Sequence, residues 1–199
     1  MEALTPCPGC LLNYNCVCEH LPSVSASFHI ATLIHENEQH RVTNTGRWLL
    51  KAIQPSSQHV WQRTLPCPEL SRLISDEQYQ PLLVFPSEES QPLKAKAENA
   101  SQQGRIPLFI ILDGTWQEAK KMLRKSPWLR ELTSVHLAPE SESCYQLRRN
   151  QEAGNLCTLE VGAEIIRTLG QQHQAEQLRA FLRHYMQAFQ ADKSGHRLK

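Results

Sequence analysis

Five consecutive apolar residues, Leu108-Phe109-Ile110-Ile111-Leu112, run straight into Asp113-Gly114-Thr115-Trp116-Gln117-Glu118. A run this short and this apolar fits a strand buried on both faces, and is far too short to span a membrane. Thr115 and Glu118 have the spacing of a capping box, so the sequence predicts a helix that opens after Thr115 and extends from 116 to about 125. The turn between strand and helix therefore lies at the carboxyl end of a buried strand. Open α/β sheets bind their ligands at that edge. A helix start adds free backbone N–H groups and a positive dipole end.

The same alternation recurs along the chain. Residues 28–34 are rich in β-formers and read as a strand. Residues 44–53 read as a helix with Trp48, Leu49 and Ala52 on one face. A short strand is expected at 59–61, a short helix at 68–74, and a strand at 81–85 that Pro86 stops. Residues 87–106 are polar and read as a surface loop with one solvated helical turn. Another strand is expected at 135–137. Two helices close the chain, one with the stripe Leu159, Ala163, Ile166 and Leu169, the other with Leu178, Phe181, Leu182, Tyr185 and Phe189. Strands that are continuous apolar runs, alternating with helices, predict an α/β fold with a mostly parallel sheet. There is no internal repeat and no Gly-rich phosphate loop, so the usual dinucleotide fingerprint is missing.

The 199 residues, 40% hydrophobic and 21% charged, suit one folded domain with a small appendage and argue against a disordered chain. A net charge of +1 does not mark a nucleic-acid binder, so any RNA footprint has to be a local patch. The acidic start lacks an apolar core of the signal-peptide kind, and we expect a cytoplasmic protein with reduced thiols. Seven cysteines then read as metal ligands or packing residues. Four of them, Cys7, Cys10, Cys16 and Cys18, fall within twelve residues. Pro8-Gly9 between the first pair suits a tight knuckle, and thiolates so spaced can close a structural zinc site. His20 could replace one thiolate, and a loop of unpaired thiols is the plainer alternative. We divide the chain into a Cys-rich zinc knuckle at 1–22 and a catalytic domain at 23–199. Cys67, Cys144 and Cys157 are scattered and expected to pack.

Asp113 stands just outside an apolar strand, where partial burial would make it a usable base. Trp116 could stack on a base or a cation. Spacing alone also allows an Asx turn at Asp113 and a packed Trp116. The cluster Lys120-Lys121-x-x-Arg124-Lys125 is either a phosphate-contacting surface or a solvated helix face.

Six blocks occur in order that resemble the DTW-domain proteins, a family of tRNA-uridine aminocarboxypropyltransferases. The central block is 112–122, followed by Ser126-Pro127. The cysteine head resembles the family's N-terminal cluster. Residues 35–46, HENEQHRVTNTG, resemble its His-Pro-x-Glu-x-x-Arg-x-Thr-Asn-Thr-Gly block, with Glu36 standing where the family usually has Pro. Phe85-Pro86-Ser87-Glu88, Ser143-x-Tyr145-x-x-Arg148 and Leu156-Cys157-Thr158-Leu159-Glu160 resemble the remaining blocks. The resemblance covers roughly residues 5–190.

It implies transfer of the 3-amino-3-carboxypropyl group of S-adenosylmethionine to N3 of a tRNA uridine, with methylthioadenosine released. It implies a fold similar to the knotted SPOUT methyltransferases, whose cofactor sits in loops after the C-terminal strands. On this reading Asp113, Thr115 and Trp116 form the catalytic centre. Phe85, Leu112, Leu137, Tyr145, Leu156 and Thr158 contact S-adenosylmethionine. Arg41, Asn44, Lys120, Lys121, Arg124 and Arg148 contact tRNA, His35 lines the site, and neither a membrane nor DNA is a partner. Two other readings stay open: an RNA methyltransferase on the same fold, and a zinc-knuckle RNA-binding module without catalysis.

Overall fold

The computed structural model describes residues 5–139, 142–147 and 155–198. Six parallel strands form one sheet in the order β2-β1-β5-β3-β6-β4. They are β1 (Val24–Ile34), β2 (Ile53–Val60), β3 (Tyr79–Val84), β4 (Gln91–Pro92), β5 (Ile106–Asp113) and β6 (Thr133–His136). Helices α1 (Gly46–Ala52), α3 (Leu93–Gln102), α6 (Thr158–Thr168) and α7 (Gln172–Lys193) supply one covered face; α2 (Pro68–Ser75), α4 (Trp116–Lys125) and α5 (Pro127–Arg130) supply the other.

This double cover explains the unbroken apolar run that marked β5. Phe109 and Ile111 pack toward the larger core with Trp48, Leu159 and Tyr185. Leu108, Ile110 and Leu112 pack the opposite way, against Ala119, Met122 and Leu129. A strand covered on both sides needs no polar face.

The expected elements are present, with shifted ends. β1 begins at Val24, α1 covers less than 44–53, and β2 spans far more than 59–61. The stretch 87–106 differs most. It holds β4 and a ten-residue helix, α3, where a polar loop with one solvated helical turn was expected. The buried positions of α3 are Leu93, Ala97 and Ala100, so its inner face is helical in spacing but small in side chain. Two alanines among polar residues give a weak apolar stripe, which is why the periodicity escapes notice.

The Cys-rich head shares the main core. Cys10, Leu12 and Val17 are buried in the same cluster as α1, α6 and α7. The Asp192 carboxylate, near the end of α7, accepts the backbone N–H groups of Asn13 (3.0 Å), Tyr14 (2.6 Å) and Asn15 (3.3 Å). Burial opposes ionisation of Asp192, but these donors outweigh it and hold the carboxyl below its ordinary pKa. Among the described residues, no helix is long and apolar enough to cross a membrane.

Candidate active site

The parallel register places Val60, Ile34 and Asp113 side by side at the carboxyl ends of β2, β1 and β5. The chain turns away after each, so Trp61, His35 and Gly114 begin three adjacent loops. The loop after Asp113 leads directly into α4. Thr115 caps that helix: its hydroxyl accepts the Glu118 N–H at 3.2 Å, and the Glu118 carboxylate accepts the Thr115 N–H at 2.8 Å. Burial raises the Glu118 pKa, but the Thr115 donors, Asn37 and Arg41 lower it more, to about 2.

Asp113 is 1% exposed. Its carboxylate accepts the Asn44 amide at 3.1 and 3.0 Å and the Thr158 hydroxyl at 2.6 Å. Its backbone carbonyl accepts the His35 N–H at 3.0 Å. The α1 backbone comes so close that a Cβ on Gly46 would lie 2.2 Å from Asp113 Oδ2. Thus β5 supplies the acid, the loop before α1 and the start of α6 orient it, and a glycine makes the room. The Asn44 amide also donates to Glu38 at 3.2 Å, and Glu38, 1% exposed, is ion-paired with Arg41.

Above Asp113 opens a cavity of about 560 Å³, large enough for a nucleoside-sized ligand. Two groups of residues expected from the sequence meet in it. Asp113, Thr115 and Trp116 line it, and so do Phe85, Leu112, Leu137, Tyr145, Leu156 and Thr158. Trp116 stacks on Phe85 at 5.3 Å, with Lys120 Nζ 5.7 Å from its ring centre. The Tyr145 hydroxyl donates to the Thr43 carbonyl at 2.6 Å, tying its loop to the one before α1.

The residues expected at RNA divide. Lys120 lines the cavity, and Lys121 and Arg124 are exposed on α4 beside it. Arg41 lies outside the cavity lining, held by Glu38 and, at 3.5 Å, by Glu118. Asn44 is buried at the cavity floor with its amide given to two carboxylates. Arg148 lies outside the described residues. His35 is fully buried and stacks on Trp61.

Sequence reasoning assigned no role to Glu160. It is 1% exposed and gathers the Ser143 hydroxyl (2.6 Å), the Cys144 N–H (2.7 Å) and the Cys157 N–H (2.8 Å). One carboxylate therefore joins the two segments that carry Tyr145 and Thr158 into the cavity. The available signal was an acid at the third position of a helix. Its partners in 143–144 were not readable from spacing.

In the head, which α1 contacts through Arg47 and Lys51, the sulfurs of Cys7, Cys10, Cys16 and Cys18 lie within 4.8 Å of one another. Cys7 to Cys18 measures 3.8 Å and Cys16 to Cys7 measures 3.5 Å. A tetrahedral zinc with Zn–S bonds of about 2.3 Å sets its sulfurs about 3.8 Å apart, so the donor set fits such an ion. The thiols differ in acidity: the N–H groups of Cys10 and Gly9 lower Cys7 to about 6, while burial raises Cys18 to about 12. Lys51 and Arg47 donate to the carbonyls of Gly9 (2.9 Å) and Cys10 (3.3 Å), which places positive charge beside the cluster.

The DTW-domain family model matches residues 4–190. The chain belongs to the DTW-domain family. A relative from Drosophila melanogaster, tRNA-uridine aminocarboxypropyltransferase 2, is 30% identical over 161 residues. That match covers 77% of this chain and 62% of the relative, so the chain spans less than two thirds of the relative's length. No solved structure matches the chain. The family's central block is the turn that closes the cavity floor here, from Asp113 to Trp116.

Proposed function

We propose that this DTW-domain chain transfers the 3-amino-3-carboxypropyl group of S-adenosylmethionine to N3 of a tRNA uridine. The observation that supports it most is a buried, oriented carboxylate, Asp113, at the floor of a cavity of mixed polar and apolar lining on the carboxyl edge of a parallel sheet. S-adenosylmethionine supplies an electrophilic carbon beside its sulfonium. Uridine N3 is a weak acid and needs a base as its bond to that carbon forms. Asp113 takes the N3 proton, the carbon–sulfur bond breaks, and its electron pair returns to sulfur, giving methylthioadenosine. Asn44 and Thr158 hold the carboxylate in place for this transfer. The apolar lining, with Phe85, Leu137 and Leu156, excludes water and selects which carbon of the sulfonium meets the uracil, a matter of pose. Trp116 offers a ring face to the uracil or the sulfonium.

The remaining parts follow from the same reading. Lys120, Lys121 and Arg124 contact tRNA phosphates, as does Arg148, which lies outside the described residues. The head at 1–22 holds a structural zinc through four thiolates that leave no open position for water. Residues 23–199 form a SPOUT-like knotted catalytic unit, consistent with the crossing order β2-β1-β5-β3-β6. The protein works in the cytoplasm, where thiolates stay reduced.

The deciding experiment incubates the purified protein with S-adenosylmethionine and unmodified tRNA, then identifies both products by mass spectrometry. Methylthioadenosine and a tRNA uridine heavier by the aminocarboxypropyl group are expected. S-adenosylhomocysteine with a methylated nucleotide would replace this reading with a methyltransferase. Failure to bind S-adenosylmethionine would leave a non-catalytic RNA-binding module.

A further inference from the structure

We propose that Trp61 and Lys121 form a second platform, which takes the base and phosphate of a nucleotide flanking the uridine held over Asp113. This rests on the RNA substrate proposed above. The placement is set by the sheet. Val60, Ile34 and Asp113 stand in register across three neighbouring strands, so Trp61 begins its loop two strands from Gly114. At about 4.8 Å per strand, that separation is about 10 Å, the reach of an adjacent nucleotide in a splayed loop.

The Trp61 ring is partly exposed and packs with the rest of its surface against the core under α4. Its backbone N–H bonds the Ile34 carbonyl at 2.9 Å, and its indole N–H donates to the buried Ser126 hydroxyl at 2.9 Å. One face stacks on fully buried His35, at 5.3 Å between centres and 21° between planes. Lys121 Nζ stands 6.0 Å from the ring centre. The neighbouring residue, Lys120, makes the matching contact with Trp116 at the cavity. Consecutive lysines of α4 therefore cover two rigid tryptophans, one at the cavity and one beyond it. A ring locked edge-on and backed by another ring loses little entropy when a base stacks on it. A flexible lysine can swing from the ring to a phosphate. Exposed Arg63 follows two residues after Trp61, and Arg124 and Lys125 continue the same cationic side of α4.

The test uses the full chain and an unmodified tRNA transcript that the wild-type protein binds. Trp61→Ala is expected to weaken transcript binding roughly 10- to 100-fold, as loss of one stacked base does, with S-adenosylmethionine affinity unchanged. Trp61→Phe should recover most of the loss. Lys121→Gln should lower the slope of log affinity against log salt by about one unit. Transcript binding within twofold of wild type for Trp61→Ala would overturn the platform while leaving the transferase reading intact. Joint loss of S-adenosylmethionine and transcript binding would also overturn it, by making Trp61 a support for the fold. A wild-type protein that binds S-adenosylmethionine but no RNA would remove both proposals.

Discussion

The cavity floor and the cysteine head face the same electrostatic problem and meet it differently. Each crowds groups that ionise. At the floor, Asp113 and Glu38 share the amide of Asn44, with the Thr158 hydroxyl donating to Asp113 and Arg41 paired with Glu38. Donors from the chain itself face these charges. In the head, four sulfurs converge while Lys51 and Arg47 reach neighbouring carbonyls. A site satisfied by its own chain is preorganised for chemistry. A site whose donors converge on one point has the geometry that a tetrahedral ion requires.

That contrast can be broken at either end. The largest effect is expected from Asp113→Asn, which should reduce turnover by about 10²-fold or more while the protein still binds S-adenosylmethionine. Near-normal turnover in a steady-state assay would remove Asp113 as the base. At the head, protein purified without added metal should carry close to one zinc per chain by elemental analysis, and Cys10→Ser should lose it and melt earlier. Full zinc occupancy in that variant would mean that Cys10 is not a ligand. Gly46→Ala should destabilise by about 1–3 kcal/mol in denaturant melts, because the new methyl must displace the Asp113 carboxylate or the α1 backbone. Unchanged stability and activity would show that the close approach is loose.

The smallest effect concerns Glu118. Its folded-state pKa lies below the unfolded value, so ionised Glu118 stabilises the fold above the ordinary carboxylate range. This contribution is lost as pH falls from about 4.5 through about 2. Melting curves across that window should fall less steeply for Glu118→Gln than for wild type. Parallel curves would show that the cap does not depend on charge.

Much of this arrangement was legible because it is local. The apolar run of β5 and the Thr115–Glu118 spacing located the turn, and the turn located the cavity. The four cysteines were visible for the same reason, lying within twelve residues. What escaped has identifiable causes. β2 is an edge strand, and its stretch Gln54-Pro55-Ser56-Ser57-Gln58 carries little apolar signal because only one side of it pairs. The stripe of α3 is built on alanines. The partners of Asp113, from Asn44 to Thr158, are distant in sequence, so the orientation of the carboxylate exists only once the sheet has formed. Glu160 is similar, since its role depends on a segment beginning 17 residues earlier.

The clamp between Asp192 and the head has a consequence for synthesis. The head's backbone N–H groups leave the ribosome well before the carboxylate that receives them, which lies 177 to 179 residues later. Contacts of such long range are slow to form and come late. During translation the cysteines therefore wait, exposed and reduced, until α7 emerges. Closure of the head onto α7 then becomes a late event of folding, and a ribosome stalled before α7 would release a chain whose thiols are still open to oxidation.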